Sequence, residues 1–150
     1  MRAPFQILAI PYKTKPELQY CVFYRNSSGQ CQFIAGGGEN NESPTNAAVR
    51  EIKEETSIEI KHIIKLNSIA YIPVNVIPKQ YRKQWNKNAF VIPEYTFGFE
   101  CNSKINISHE HFKFEWLKYS DAIKKLTWDS NKTALFELNC LLQSKIYNEL

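Results

Sequence analysis

Between Ser43 and Thr56 the chain encodes a helix that carries its acid on one side, and no other segment constrains the fold as much. Ser43 can cap it, Pro44 suits the first helical position, and Asn46 to Thr56 is mostly good helix former. At about 100° per residue, Glu51, Glu54 and Glu55 fall within an arc of about 100°. Ala48, Val49 and Ile52 occupy a separate arc, which must face a core. Ala47 lies inside the acidic arc and is small enough to leave room for a ligand. Carboxylates this close repel one another unless a cation neutralises them, and hard oxygen donors suit Mg²⁺ or Mn²⁺. Arg50 can reach Glu54 at i+4 and hold it in place. Ahead of the helix, Gly36-Gly37-Gly38 predicts a sharp turn that lets the backbone approach a ligand closely. The bare chemistry is a divalent-metal site beside a glycine-rich turn, suited to polyphosphate.

The flanking segments alternate strand and helix. Phe5 to Pro11 and Leu18 to Arg25 are rich in aliphatic, aromatic and β-branched residues, as strands are. Asn26-Ser-Ser-Gly29 reads as a hairpin turn, and Gln32 to Ala35 resumes a short strand. Two apolar runs, Ile58 to Ile64 and Leu66 to Ile72, suggest a strand or a bent strand pair. Val91 to Cys101 is a further strand, with Pro93 marking an edge or bulge, and Phe112 to Leu117 is another. Ser120 is placed to cap a short helix through Leu126. Asp129 or Ser130 is placed to cap a longer one ending near Tyr147, with Leu135, Leu138, Leu142 and Ile146 as its apolar face. This order predicts an α/β (α+β) domain, a mixed sheet with helices on its faces.

Composition bounds the rest. At 150 residues the chain is expected to be a single domain over residues 1–150. A net charge of +4 hints at anionic partners without singling out nucleic acid. The apolar run near the N-terminus is too short for a signal peptide, and no membrane association is expected. Cys21, Cys31, Cys101 and Cys140 are scattered with no CxxC, so reduced thiols in a cytoplasmic protein fit better than zinc or disulfides.

The stretch from Gly36 to Ile58 resembles the Nudix box, G-x5-E-x7-R-E-U-x-E-E-x-G-U with U a bulky aliphatic residue. Gly36, Glu42, Arg50, Glu51, Ile52, Glu54, Glu55 and Ile58 all match in register. One position departs: Ser57 stands where the family has glycine. If that residue takes a left-handed backbone, the side chain costs roughly 1–2 kcal/mol. Ser108-His109-Glu110-His111, followed by Glu115-Trp116-Leu117, is similar to a segment in which an acidic residue joins the metal site or helps activate water. Glu110 is the matching position. Leu126-Thr-Trp128 and Ser130-Asn131-Lys132 resemble a bacterial branch acting on dATP and dihydroneopterin triphosphate.

The resemblance implies an α/β/α sandwich with a mixed β-sheet and a metal-dependent pyrophosphohydrolase. Its substrate class would be a (deoxy)nucleoside or pterin triphosphate, a small-molecule nucleotide, cut to the monophosphate and pyrophosphate. Rivals are a dinucleoside polyphosphate or nucleotide-sugar hydrolase, or a silent nucleotide sensor. It further implies Mg²⁺, with Mn²⁺ as the alternative, held by Glu51, Glu54 and Glu55 with Glu110 as an additional ligand. Glu51 is the candidate base, Glu110 its rival, and Arg50 the residue that orients a glutamate. Glu42 and Ser57 are expected to shape the loop and the helix exit. Gly36, Gly37 and Gly38 are candidates for substrate contact, as are Arg25, Lys79 and Arg82.

Lys79, Arg82, Lys83 and Lys87 lie with Tyr81, Trp85 and Phe90 in a stretch, Val76 to Phe90, that lacks acidic residues. Such a loop can offer cations to a triphosphate, or be a plain solvated connection. No nucleic-acid module signature accompanies it, so nucleic acid is not an expected partner. A homodimer is left open. His109 and His111 read as surface or packing residues, and the tryptophans as core or rim.

Overall fold

The computed structural model describes residues 1–149, with side-chain surroundings through Ser144. The strands β1 (Arg2–Lys13), β2 (Gln19–Arg25), β3 (Cys31–Gln32) and β4 (Ile34–Glu39) precede helix α1 (Pro44–Thr56). Strands β5 (Ile64–Pro73), β6 (Val91–Glu100) and β7 (His111–Leu117) follow, and α2 (Tyr119–Lys125) and α3 (Asp129–Glu149) complete the order.

All seven strands form one mixed sheet. β1 lies at its centre, parallel to β6 and antiparallel to β4 and β2. The β4 pairing covers Arg2 to Ala9, whereas β2 joins only at Tyr12 and Lys13. From there β2 carries β3 on one edge and β7 along the other, so the sheet divides into two leaves. Strand alternation sorts the core onto two faces. Ile7 and Ala9 of β1 pack with Ala47, Ala48 and Ile52 of α1, as do Cys21 and Phe23 of β2. Leu8, Ile10, Tyr20 and Val22 pack instead with Ala122 of α2 and Ala134, Leu135, Leu138 and Leu142 of α3. A strand covered on both faces needs an unbroken apolar run, which explains the composition of β1. The layers are therefore helix, sheet and helices, as expected. No helix among the described residues is long and apolar enough to cross a membrane.

Several local expectations change. The three glycines do not turn: they continue β4 in register with β1, opposite Gln6 and Ile7 at Gly37 and Gly36. The chain reverses afterwards, where Asn40 takes φ 51°. Of the apolar run from Ile58 to Ile64 only Ile64 joins a strand, the start of β5, yet Ile58, Ile60 and Ile63 pack against the α1-side core. Hydrophobicity there anchors a crossing segment rather than a ladder. Ser120 is not the cap of α2, because the helix opens at Tyr119 and Lys118 stands in the capping place. α3 opens at Asp129 itself, and the Ile146 side chain, expected on its apolar face, lies outside the described residues. The Asn26–Gly29 turn is as read, with Gly29 at φ 68° and its N–H donating to the Arg25 carbonyl at 2.9 Å.

Candidate active site

α1 delivers the acidic face, and its ends are built as the local chemistry requires. The Ser43 hydroxyl accepts the Asn46 N–H at 3.1 Å, with Pro44 opening the helix. At the exit Ser57 is left-handed, φ 65° and ψ 16°, and its N–H donates to Lys53 O at 2.8 Å. Serine thus occupies a conformation that glycine adopts without strain. The buried Thr56 hydroxyl steadies the same exit, donating to Ile52 O at 2.6 Å and accepting from the Ile58 N–H at 3.2 Å.

Arg50 is the hub of the site. Its Nε donates to Glu42 Oε2 at 2.8 Å and Nη2 to Glu42 Oε1 at 3.0 Å, a two-pronged pair. Nη2 also donates to the Gly37 carbonyl at 2.8 Å. Nη1 reaches Glu51 at 3.0 Å and Glu54 at 3.2 Å, the i+4 contact the sequence suggested. Glu42 in turn accepts the Glu39 N–H at 2.8 Å, tying the loop to the helix. The Arg50 hydrogen bond outweighs burial and holds the Glu42 carboxyl below its ordinary range.

The glycines of β4 matter through the side chains they lack. A β-carbon on Gly36 would fall 2.1 Å from Cδ of Glu51, and one on Gly37 1.8 Å from Nε of Arg2. On Gly38 it would meet the Phe5 ring at 2.1 Å. Glu51 is therefore seated directly on the strand, buried, while Glu54 is exposed. Burial pushes the Glu51 carboxyl up to about 7; Arg50 opposes the rise, and the charges of Glu54 and Glu55 add to it.

Glu110 arrives from the far side of the chain. The Asn26 N–H donates to its carbonyl at 3.0 Å and the Asn26 side chain to His109 O, so the β2–β3 turn carries this loop into place. Glu55 is buried there, accepting from the Ser108 hydroxyl at 2.7 Å and contacting His111 Nδ1 at 3.1 Å. Against its burial, hydrogen bonds from His111, Ser108 and Glu110 hold the Glu55 carboxyl below its ordinary range. Burial and the adjacent Glu55 raise Glu110, while Arg25 opposes. Like charges this close oppose joint ionisation, which pushes the two carboxyls in opposite directions, Glu55 down and Glu110 up.

Sequence reasoning missed two contributors. His111 was read as a surface or packing residue; it packs on Phe23, with ring centroids 5.4 Å apart, but also binds Glu55. Arg2 lies close enough to Glu51 and Arg50 to feel both charges, and its buried Nε has no partner. A residue so near the N-terminus carried no motif to flag it. Arg25 is brought beside Glu110 and lines a cleft of about 750 Å³ on the α3 face of the sheet. Lys79 is exposed, and Arg82 is turned back to the Ile77 carbonyl at 2.8 Å; neither lines that cleft. The loop carrying them is held by short helical turns and by the Trp85 indole N–H donating to Arg2 O at 2.8 Å.

Glu51, Glu54, Glu55 and Glu110 are all hard oxygen donors, the type that Mg²⁺ and Mn²⁺ take. Among the described residues no three acidic, histidine or cysteine side chains converge into a ready metal cage. Arg50 holds Glu51 and Glu54, while Ser108 and His111 hold Glu55. The fit is one of donor chemistry, with protein cations and hydrogen bonds holding the carboxylates.

A fold of these layers with this helix defines a class. The NUDIX domain model matches residues 13–138, so the chain belongs to the Nudix family, hydrolases of pyrophosphate bonds. Among solved structures it is similar to a Listeria monocytogenes protein described as a NUDIX hydrolase. Identity is 38%, covering 95% of this chain and 97% of that one at a TM-score of 0.83. It shares the fold of the E. coli dihydroneopterin triphosphate pyrophosphohydrolase, with 22% identity, 92% and 97% of the chains covered and a TM-score of 0.73. A C. elegans Ap4A hydrolase has the same fold at 16% identity, 95% and 99% coverage and a TM-score of 0.68. No curated protein matches the chain in sequence.

Proposed function

We propose that this hydrolase cleaves a (deoxy)nucleoside triphosphate or a related pterin triphosphate to the monophosphate and pyrophosphate. The observation that carries the reading is the meeting of Glu110 with Glu55 beside Arg25, which also lines the large cleft. Arg25 thus connects the acidic groups proposed for a metal-bound polyphosphate with a cavity of a size to take the rest of the nucleotide.

Glu51, Glu54, Glu55 and Glu110 would hold Mg²⁺, with Mn²⁺ able to substitute. A divalent ion there supplies charge neutralisation across phosphate oxygens and a more acidic bound water. Arg50 holds Glu51 and Glu54 at a set spacing, and Glu42 locks Arg50 from behind. Glu51, seated on Gly36, is the candidate base that accepts the proton of the attacking water, and Glu110 is its rival. Arg25 would contact a phosphate at the cleft mouth, as would the backbone of Gly36 to Gly38; Lys79 and Arg82 would approach from the overlying loop.

The test is release of pyrophosphate and orthophosphate across a nucleotide panel with Mg²⁺, run beside Glu54→Gln. Pyrophosphate from a triphosphate, lost in the variant, is the expected result. Cleavage confined to dinucleoside polyphosphates or nucleotide sugars would replace the substrate class. Nucleotide binding without turnover by any member would make the domain a sensor.

A further inference from the structure

The cleft contains a group that the hydrolytic chemistry does not use. Glu94 of β6 is 2% exposed, yet it lines the cavity on the α3 face together with Gln6, Gln32, Tyr71 and Trp128. The Gln6 side-chain N–H donates to its Oε2 at 2.6 Å. Its Oε1 has no hydrogen-bond partner; the Ser130 hydroxyl at the start of α3 is near enough to favour the ionised form but makes no bond. Burial raises this carboxyl above its ordinary range. A buried acceptor without a donor, in the wall of a cavity, is costly unless a ligand supplies the missing donors.

Its surroundings describe that ligand. The Trp128 indole is held by its N–H donating to Gln32 Oε1 at 3.3 Å, and 44% of the residue is exposed. Tyr71, also well exposed, lines the same cavity from β5. Planar aromatic surfaces lining the same cavity as an acceptor suit a flat heterocycle that donates in its plane. A carboxylate accepts only, so it prefers a ring edge with two adjacent N–H donors. Adenine and cytosine place a ring acceptor beside the amino group, and uracil and thymine flank their N–H with carbonyls. Only the 2-amino-4-oxopyrimidine edge, shared by guanine and pterins, puts a ring N–H next to an amino group.

Resting on the proposed cleavage of triphosphates, we infer that Glu94 is the specificity-determining residue of the cleft, accepting the N–H pair of a 2-amino-4-oxopyrimidine ring. Gln6 occupies one acceptor position of Oε2 from the side, leaving Oε1 and the second acceptor position of Oε2 for the two N–H groups of the ring. Glu94→Gln presents an acceptor and a donor in nearly the same shape, which opposes this ring edge and complements adenine.

Calorimetric titration of the full chain, with dGMP, 7,8-dihydroneopterin monophosphate and dAMP, tests this without turnover. The wild-type protein should bind the first two at least about tenfold more tightly than dAMP, the discrimination expected of a two-pronged pair. Whichever of the two is tighter identifies the source of the ring. Glu94→Gln should erase the preference or reverse it toward dAMP, with little change in melting temperature. Equal wild-type affinity for dAMP, failure to bind any of the three, or a preference that survives Glu94→Gln would overturn the inference. Pyrophosphate release without base preference would leave the hydrolase reading standing and remove Glu94's role. Glu94-dependent binding without release from any triphosphate would do the reverse.

Discussion

The two faces of the sheet hold buried glutamates in opposite circumstances. On the α1 face, Glu51 sits on Gly36 and is gripped by Arg50, which also binds Glu42, Glu54 and a backbone carbonyl. On the α3 face, Glu94 has one donor, Gln6, and a buried second oxygen without a partner, in a residue that lines a cavity. The first arrangement has little freedom, since each carboxylate is positioned by several others. The second is left for a ligand to complete. A hydrolase needs both: a reacting centre held rigidly before substrate arrives, and a recognition surface whose unsatisfied groups reject wrong substrates.

The largest expected effect breaks the rigid side. Arg50→Ala strips Glu42 and Glu51 of their shared partner and should destabilise the protein by about 3 kcal/mol, read by chemical denaturation. Arg50→Lys should recover little of it, because an ammonium cannot reproduce the forked pair. If Arg50→Ala unfolds like wild type, the hub is not what holds this face.

Gly36→Ala should come next, at about 2 kcal/mol, because its methyl must displace the Glu51 carboxyl 2.1 Å away. Pyrophosphate release should fall further than stability does. Retained turnover would show that Glu51 need not sit against β4.

A smaller change should sharpen the contrast in the favourable direction. Ser57→Gly removes a side chain from a left-handed residue and should stabilise by about 1 kcal/mol in thermal unfolding, without altering the cleft. A destabilised variant would mean that the serine side chain contributes more than its backbone costs.

The most subtle effect is the pH response of the metal-free protein. Folded Glu51 titrates at about 7, above its ordinary 4.5. Between those values the folded state binds a proton that the unfolded chain does not, so stability should rise as pH falls through the window. Below it, Glu55 and Glu42, both held low, become protonated and stability should fall. Glu94 and Glu110 are raised as well, so the Glu51 share is the part of the slope that disappears in Glu51→Gln. An unchanged slope in that variant would remove Glu51 as its source.

How much was legible follows the same division. Arg50 to Glu54 and the acidic face of α1 were readable because helical periodicity converts spacing into direction. Phe5 to Pro11 was readable as a strand from its aliphatic and aromatic content, whereas its burial on both faces came from the packing of helices on either side. The glycines were misread as a turn because composition reports permission to bend, whereas here it reports room for Glu51, Arg2 and Phe5. Ile58 to Ile63 was misread for a related reason, since burial alone does not distinguish a ladder from an anchored crossing.

By itself, then, the sequence determined the chemistry of one helix, its caps, the layer order around a mixed sheet and the family. These depend on neighbours along the chain, whose geometry is set by covalent spacing. Tertiary structure alone decided that Glu110 meets Glu55, that His111 and Arg2 join the site, and that Glu94 faces a cavity beside Trp128. Those groups come from separate strands, loops and a helix start, and the pairing of β1 with β4 and β6 and of β2 with β7 brings them together.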